Sequence, residues 1–171
     1  GYDQGDDGKV HQTFSWEVDI DGDSTPLAIA NGVKKPQLLL VNDQDLAYAK
    51  VRLDAESLAF AIDQIDKITD PLTRRILIAA AWDMTRDAEM SATDFIALAL
   101  RDAAIEDNIA TLTSLLQRIE AAIVRYTAPA NRVARSIYAA DRLSLLAKAA
   151  AADTDQQQLL VRAAVRTATT A

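Results

Sequence analysis

The strongest constraint on this chain is a change of hydrophobic period at Asp54. Before it, apolar side chains recur at every second residue; after it, they recur every third or fourth. Alternation by two suits a half-buried strand and a period of about 3.6 suits an amphipathic helix, so one chain must join two kinds of architecture. The joint is residues 38–54, LLLVNDQDLAYAKVRLD. Within it, residues 38–41 are an apolar run and 42–45 are turn formers. Ala47, Ala49, Val51 and Leu53 then alternate with Leu46, Tyr48, Lys50 and Arg52, the pattern of a β-hairpin. Asp54 follows as a helix N-cap, its carboxylate placed to accept from free N–H groups of the next turn.

Upstream of the joint, residues 10–20 predict a strand. Val10, Phe14, Trp16, Val18 and Ile20 face one way, with Gln12 interrupting, and His11, Thr13, Ser15, Glu17 and Asp19 the other. Gly5, Asp6, Asp7 and Gly8 have hairpin-loop composition, and their earlier strand is expected upstream of the chain. The sequence starts with Gly and carries no leader, which reads as a segment of a longer protein. Asp19, Asp21 and Asp23 around Gly22 recur like calcium ligands, but Ala30 stands where the closing acid would be, so they read as a turn. A further short strand is expected within residues 25–33. Residues 1–54 are thus expected to be the C-terminal strands of an incomplete β-sandwich, with an open edge through which two copies could associate.

Residues 55–171 are expected to form a helical, repeat-like C-terminal domain. Caps divide it into six helices: 55–68 with stripe Leu58, Ile62 and Ile65; a second after Asp70–Pro71; 92–105 after Ser91; a fourth after Asp107 or Asn108; 129–151 carrying Val133, Ile137, Tyr138, Leu145 and Leu146; and a sixth after Asp153 or Thr154. The fold class is mainly α: an α-solenoid-like array of about six antiparallel helices preceded by a few antiparallel strands. Hairpin starts near residues 55, 91 and 129 have the spacing of helical repeats, without internal sequence similarity.

Composition excludes several functions. The net charge of -7 argues against a nucleic-acid partner, since phosphate neutralisation needs clustered positive charge. The longest apolar run, residues 76–82, is far shorter than the ~20 residues of a membrane helix. No cysteine is present and His11 is the lone histidine, so no thiolate or histidine cluster for a metal can form. The missing cysteine fits a reducing compartment, and a cytoplasmic location is expected. No HExxH, glycine-rich phosphate loop or Ser–His pair occurs. The one functional-looking cluster is Asp83, Arg86, Asp87 and Glu89, four charges directly after that apolar run. It reads as an ion cluster at a helix end or as a cavity-lining, peptide-contacting patch.

LLLVNDQDLAYAKVRLD at 38–54, AAAWDMTRDAEM at 79–90 and SLLQR at 114–118 together resemble the C-terminal part of bacterial aminopeptidase N, a zinc-dependent metalloaminopeptidase family. The resemblance implies a parent that removes N-terminal residues from peptides, using zinc held in a catalytic domain absent from this chain. It implies that the helical part packs on that catalytic domain, encloses the active-site chamber and restricts peptide entry. The family's GxMEN and HExxH motifs are missing, so no catalytic or metal residue is carried over and the chain alone is expected to be inactive. A stand-alone helical-repeat scaffold binding a partner protein is the alternative.

Overall fold

Six helices follow Asp54 in the computed structural model, which describes residues 1–169. α1 spans Ala55–Gln64 and runs into a 3-10 turn over Ile65–Lys67. α2 is Pro71–Arg86, α3 Ala92–Ala103, α4 Ile109–Ala121, α5 Pro129–Ala149 and α6 Asp155–Thr169. The caps read from the sequence start these helices. Asp54 accepts from the N–H groups of Glu56 and Ser57, Asp70 from Leu72 and Thr73, Ser91 from Asp94, and Asn108 from Thr111. Thr154 accepts from Gln157 N–H at 3.2 Å. Each cap satisfies amide groups that the first helical turn leaves without intrahelical partners.

α3 is the centre of the helical part. Its Phe95, Ile96, Leu98 and Ala99 are fully buried, and it packs against α1, α2, α4 and α5. α4 continues into a π-helical turn over Ala122–Tyr126, where the Thr127 hydroxyl donates to Ala122 O at 3.0 Å. That widened turn brings Tyr126 edge-on to Trp82 at 5.5 Å, and Trp82 leans on Phe95 at 5.0 Å. α5 and α6 form the most extensive helix pair. The residues these two helices bury are Ser136, Ala139, Ala140, Leu143 and Ala147 on α5 and Leu160, Ala163 and Ala164 on α6. The stripe expected on α5 is therefore displaced: Val133, Ile137, Tyr138 and Leu145 are exposed. Small side chains let two helix axes approach closely, so the alanine face outcompetes the face of larger residues. α1 is likewise rotated, burying Ser57, Ala61 and Ile65 while Leu58 and Ile62 are only partly covered.

The N-terminal part departs further from expectation. β1 (Tyr2–Gln4) and β2 (Val10–Gln12) form an antiparallel pair, with Tyr2 opposite Gln12 and Gln4 opposite Val10. The partner of the Val10 strand therefore lies within the chain, across the 5–9 loop. The predicted strand over 10–20 stops at Gln12. Thr13 N–H still bonds Gly1 O at 2.8 Å, but 14–20 finds no ladder among the described residues, and Ile20 is 77% exposed. Alternation supplies an apolar face, but a strand also needs a neighbour for its amides. Residues 25–33 contain a 3-10 turn over Ala28–Ala30 instead of a strand.

The predicted hairpin over 38–53 is also absent. Leu38 pairs with Tyr2, exchanging bonds of 2.8 and 3.0 Å. Leu39 N–H goes to the Ser57 hydroxyl at 2.9 Å, and Asn42 closes its own loop by bonding both the N–H and C=O of Ala47. With those groups taken, no cross-strand ladder can form. The alternation survives in burial alone: Val51 and Leu53 enter the core while Lys50 and Arg52 point outward. Tyr2, Val10, Leu38, Val51 and Leu53 belong to the same buried cluster as the helices, and Val10 bridges Ile68.

Asp54 holds this junction. It caps α1, accepts from the Ser57 hydroxyl at 2.7 Å and pairs with Lys35 at 3.0 Å. The Ser57 hydrogen bond, with Lys35 adding to it, lowers its pKa to about 2. A depressed acid stabilises the fold above its unfolded pKa, near 3.8, and that contribution disappears as pH falls through the folded value. Asp54→Ala is expected to cost about 1 kcal/mol at neutral pH. Urea titrations should show this cost shrinking from pH 4 toward pH 2.

Candidate functional site

The four charges singled out in the sequence sit in the last turns of α2 and the bend after it. Ala88 takes a left-handed conformation (φ 62°), and the N–H groups of Glu89 and Met90 both return to Met84 O. This closes the helix C-terminus and brings Glu89 beside Asp87. The structure divides the four residues into two groups. Asp87 pairs with Lys50 at 2.9 Å and with Arg52, and Arg52 also reaches Glu89. The Lys50 hydrogen bond is the first reason the Asp87 carboxyl lies below the usual carboxylate range, with Arg52 adding to it. Together these ion pairs tie the extended joint to the end of α2. Asp83 faces elsewhere, with Arg86 at 3.6 Å from its carboxylate, and Arg86 is more than half exposed.

Asp83 lines a cleft of about 580 Å³ between α2, α4 and the 42–51 loop. Arg75 and Ile76 of α2, Thr111, Ser114 and Arg118 of α4, and Val51 of the loop share its walls. Arg86, Asp87 and Glu89 are not among its lining residues. The predicted cluster therefore contributes one residue to a cavity and three to its surroundings.

Asp102 of α3 also lines the cleft, yet it is 2% exposed and belongs to a buried charge cluster that sequence reasoning missed. Arg74 donates to Asp102 Oδ1 at 2.9 Å, and its Nη1 donates to the carbonyls of Ile68 and Thr69. Glu106 stands 3.7 Å from Arg74 Nη2, and its carboxylate accepts from Asn108 N–H at 2.8 Å. Burial raises the Asp102 pKa to about 6; Arg74 offsets part of that rise and Glu106 adds to it. A signal for this cluster exists in the sequence. Phe95, Ala99, Asp102 and Glu106 recur at helical spacing, which places two carboxylates on an apolar face, and Arg74 interrupts the buried face of Thr73, Leu77 and Ala81.

Among the described residues, no group of three or more His, Cys, Asp or Glu side chains is placed to hold a metal ion. No described helix is long and apolar enough to cross a membrane.

A mainly helical unit entered through a short antiparallel sheet, with a charged helix end pinned to its entry segment, defines the class of protein. Residues 38–171 match the ERAP1-like C-terminal domain family, and the chain belongs to that family. Over 169 residues, 99% of its length, the chain is 38% identical to an aminopeptidase N of Streptomyces lividans. The chain spans about a fifth (20%) of that relative's length. The resemblance to the C-terminal region of aminopeptidase N is thus established over essentially the whole chain. The family match begins at residue 38, so it includes the joint as well as the helices.

Arg74→Ala would leave Asp102 and Glu106 buried without their shared cation. It is expected to destabilise the fold by roughly 3–5 kcal/mol, measured by urea unfolding at pH 7. The pH dependence follows from the direction of the Asp102 shift. An acid whose folded pKa is raised stabilises the fold below its unfolded pKa and loses that contribution as pH rises through the folded value. The stability of wild type relative to Asp102→Asn should therefore fall as pH rises from about 4 to 6, by up to roughly 3 kcal/mol.

Proposed function

We propose that this chain is the C-terminal, non-catalytic part of an aminopeptidase that removes N-terminal amino acids from peptides. Its helical part would enclose the active-site chamber and limit which peptides enter. The observation that carries this reading is the 38% identity to an aminopeptidase N along 99% of the chain. Residues 1–54 would be the last strands of a preceding β-sandwich, and 55–171 the start of the helical domain. The parent's zinc would be held outside this stretch, because one histidine without a neighbouring ligand cluster does not make a zinc site. The chain's own task is then physical: it excludes bulk solvent and folded protein, and it orients the peptide while residues elsewhere carry out the chemistry.

Within that reading, Asp83, Arg86, Asp87 and Glu89 lie on the peptide-facing side. Arg86 and Glu89 are exposed and joined only to ion pairs of modest strength, so each can exchange its present partner for a peptide group at small cost. The test is a kinetic series on the full-length protein with unblocked peptides of increasing length. Arg86→Ala and Glu89→Ala are expected to raise KM or to shift the preferred length while leaving kcat nearly unchanged. Identical kcat/KM at every length would remove the peptide-facing role, and a full-length protein that releases no N-terminal residues would remove the aminopeptidase reading itself.

A further inference from the structure

Of the asparagines in the chain, Asn31 alone is followed by glycine. Asn31 and Gly32 are exposed, in the turn that leaves the 3-10 segment over Ala28–Ala30. Asn31 lies at φ -61° and ψ 122° and Gly32 at φ 76°, with Val33 N–H bonded to Ala30 O at 3.1 Å. These angles match a type II turn, which needs glycine at its third position. Neither the side-chain amide of Asn31 nor the N–H of Gly32 has a hydrogen-bond partner among the described residues. A Cβ on Gly32 would have no neighbour within 4 Å, so the approach to its nitrogen is open.

The other asparagines are held in place. Asn42 donates to Ala47 O at 2.8 Å and accepts from Ala47 N–H at 2.9 Å. Asn108 accepts from Thr111 N–H at 3.0 Å as the cap of α4. Asn131 lies in the first turn of α5, where helical backbone carries the next nitrogen away from its side chain. These three precede Asp43, Ile109 and Arg132, whose side chains crowd the backbone nitrogen that a glycine leaves bare.

We propose that Asn31 is a site of spontaneous modification, converted to aspartate and isoaspartate through a cyclic imide closed by the Gly32 nitrogen. That nitrogen loses its proton to solvent base and attacks Asn31 Cγ. The new N–Cγ bond forms, the Cγ–Nδ2 bond breaks, and Nδ2 leaves as ammonia with a proton that balances the one removed. Water then opens the ring. Addition at Cγ gives an aspartyl residue, and addition at the main-chain carbonyl carbon of Asn31 leaves an isoaspartyl link. Nothing is oxidised or reduced, and water is the sole co-reactant. Closure requires rotation about Asn31 ψ, which the Val33–Ala30 hydrogen bond resists; an exposed turn with few packed contacts opens at little cost. Both products carry a new carboxylate, and the isoaspartyl form adds a methylene to the main chain ahead of Pro36 and Leu38, where burial resumes.

The test is peptide mapping by mass spectrometry of the full-length protein, aged in mildly alkaline buffer made with heavy-oxygen water so that ring opening in solution labels the product. Asn31 is expected to convert at least about tenfold faster than Asn42, Asn108 or Asn131. The product should be a mixture of both forms, and an isoaspartate-specific methyltransferase should label the same peptide. Because the attacking nitrogen must first lose its proton, conversion should slow in mildly acidic buffer. Gly32→Ala should slow it by about tenfold. That substitution also strains a turn with positive φ, so Asn31→Gln serves as the unstrained variant: its longer side chain closes a less favourable ring, and isoaspartate at this position should disappear. Comparable rates at every asparagine, a product that is aspartate alone, or isoaspartate persisting in Asn31→Gln overturns the proposal. Conversion of Asn31 in urea but not in the folded protein overturns it as well. Aminopeptidase turnover plays no part in the readout, so the outcome is independent of the assignment given under Proposed function.

Discussion

The Arg74 guanidinium is the interaction on which the helical part depends. It lies on α2, fastens the carbonyls that end the α1 segment, and meets Asp102 on α3. Glu106, on the far side of Arg74, orders the start of α4 through Asn108 N–H, and its own carbonyl accepts from Gln156 of α6. One buried cation is thereby linked to five helices. Its net contribution to stability is small, because removing three charges from water offsets most of their attraction. Its contribution to specificity is larger. An apolar contact tolerates sliding and rotation, whereas a guanidinium with four acceptors around it admits one arrangement of the elements that carry them.

The same principle explains how the entry segment is attached. Residues 42–53 lack a strand ladder, so their position rests on side chains. Val51 and Leu53 are inserted in the core, and Lys50 and Arg52 are clamped by Asp87 and Glu89. Each surface pair contributes little alone, but the four groups share partners on one helix end and hold the loop against α2. That loop forms one wall of the cleft whose other walls are α2 and α4. The ion cluster at the helix end and the cavity are therefore parts of one construction: Asp87 and Glu89 shape a wall, and Asp83 faces the space enclosed.

The family match includes the joint together with the helices, which agrees with a core that Leu38, Val51 and Leu53 share with Phe95 and Leu112. A shared core of this kind holds the joint and the helices together as one packed unit.

What the sequence determined by itself was everything set by neighbours along the chain. The change of period, five helix caps and the turn residues act within four residues, so Asp54, Asp70, Ser91, Asn108 and Thr154 start helices in the structure as their chemistry predicts. The charged helix end at 83–89 was equally legible, because four charges must follow where an apolar run stops. Tertiary structure decided what depended on distant partners. It ended the strand at Gln12, where pairing gave out; it gave the Leu38 amide to Tyr2 and the Leu39 amide to Ser57; and it turned α5 so that alanines, not Val133 and Ile137, met α6. It also chose Asp102 for Arg74 across twenty-eight positions of sequence (28), a pairing no local pattern encodes. The physical reason is common to all of these: a hydrophobic period specifies that a face will be covered, and only the assembled neighbours determine by what, at which rotation, and with which amides left to bond.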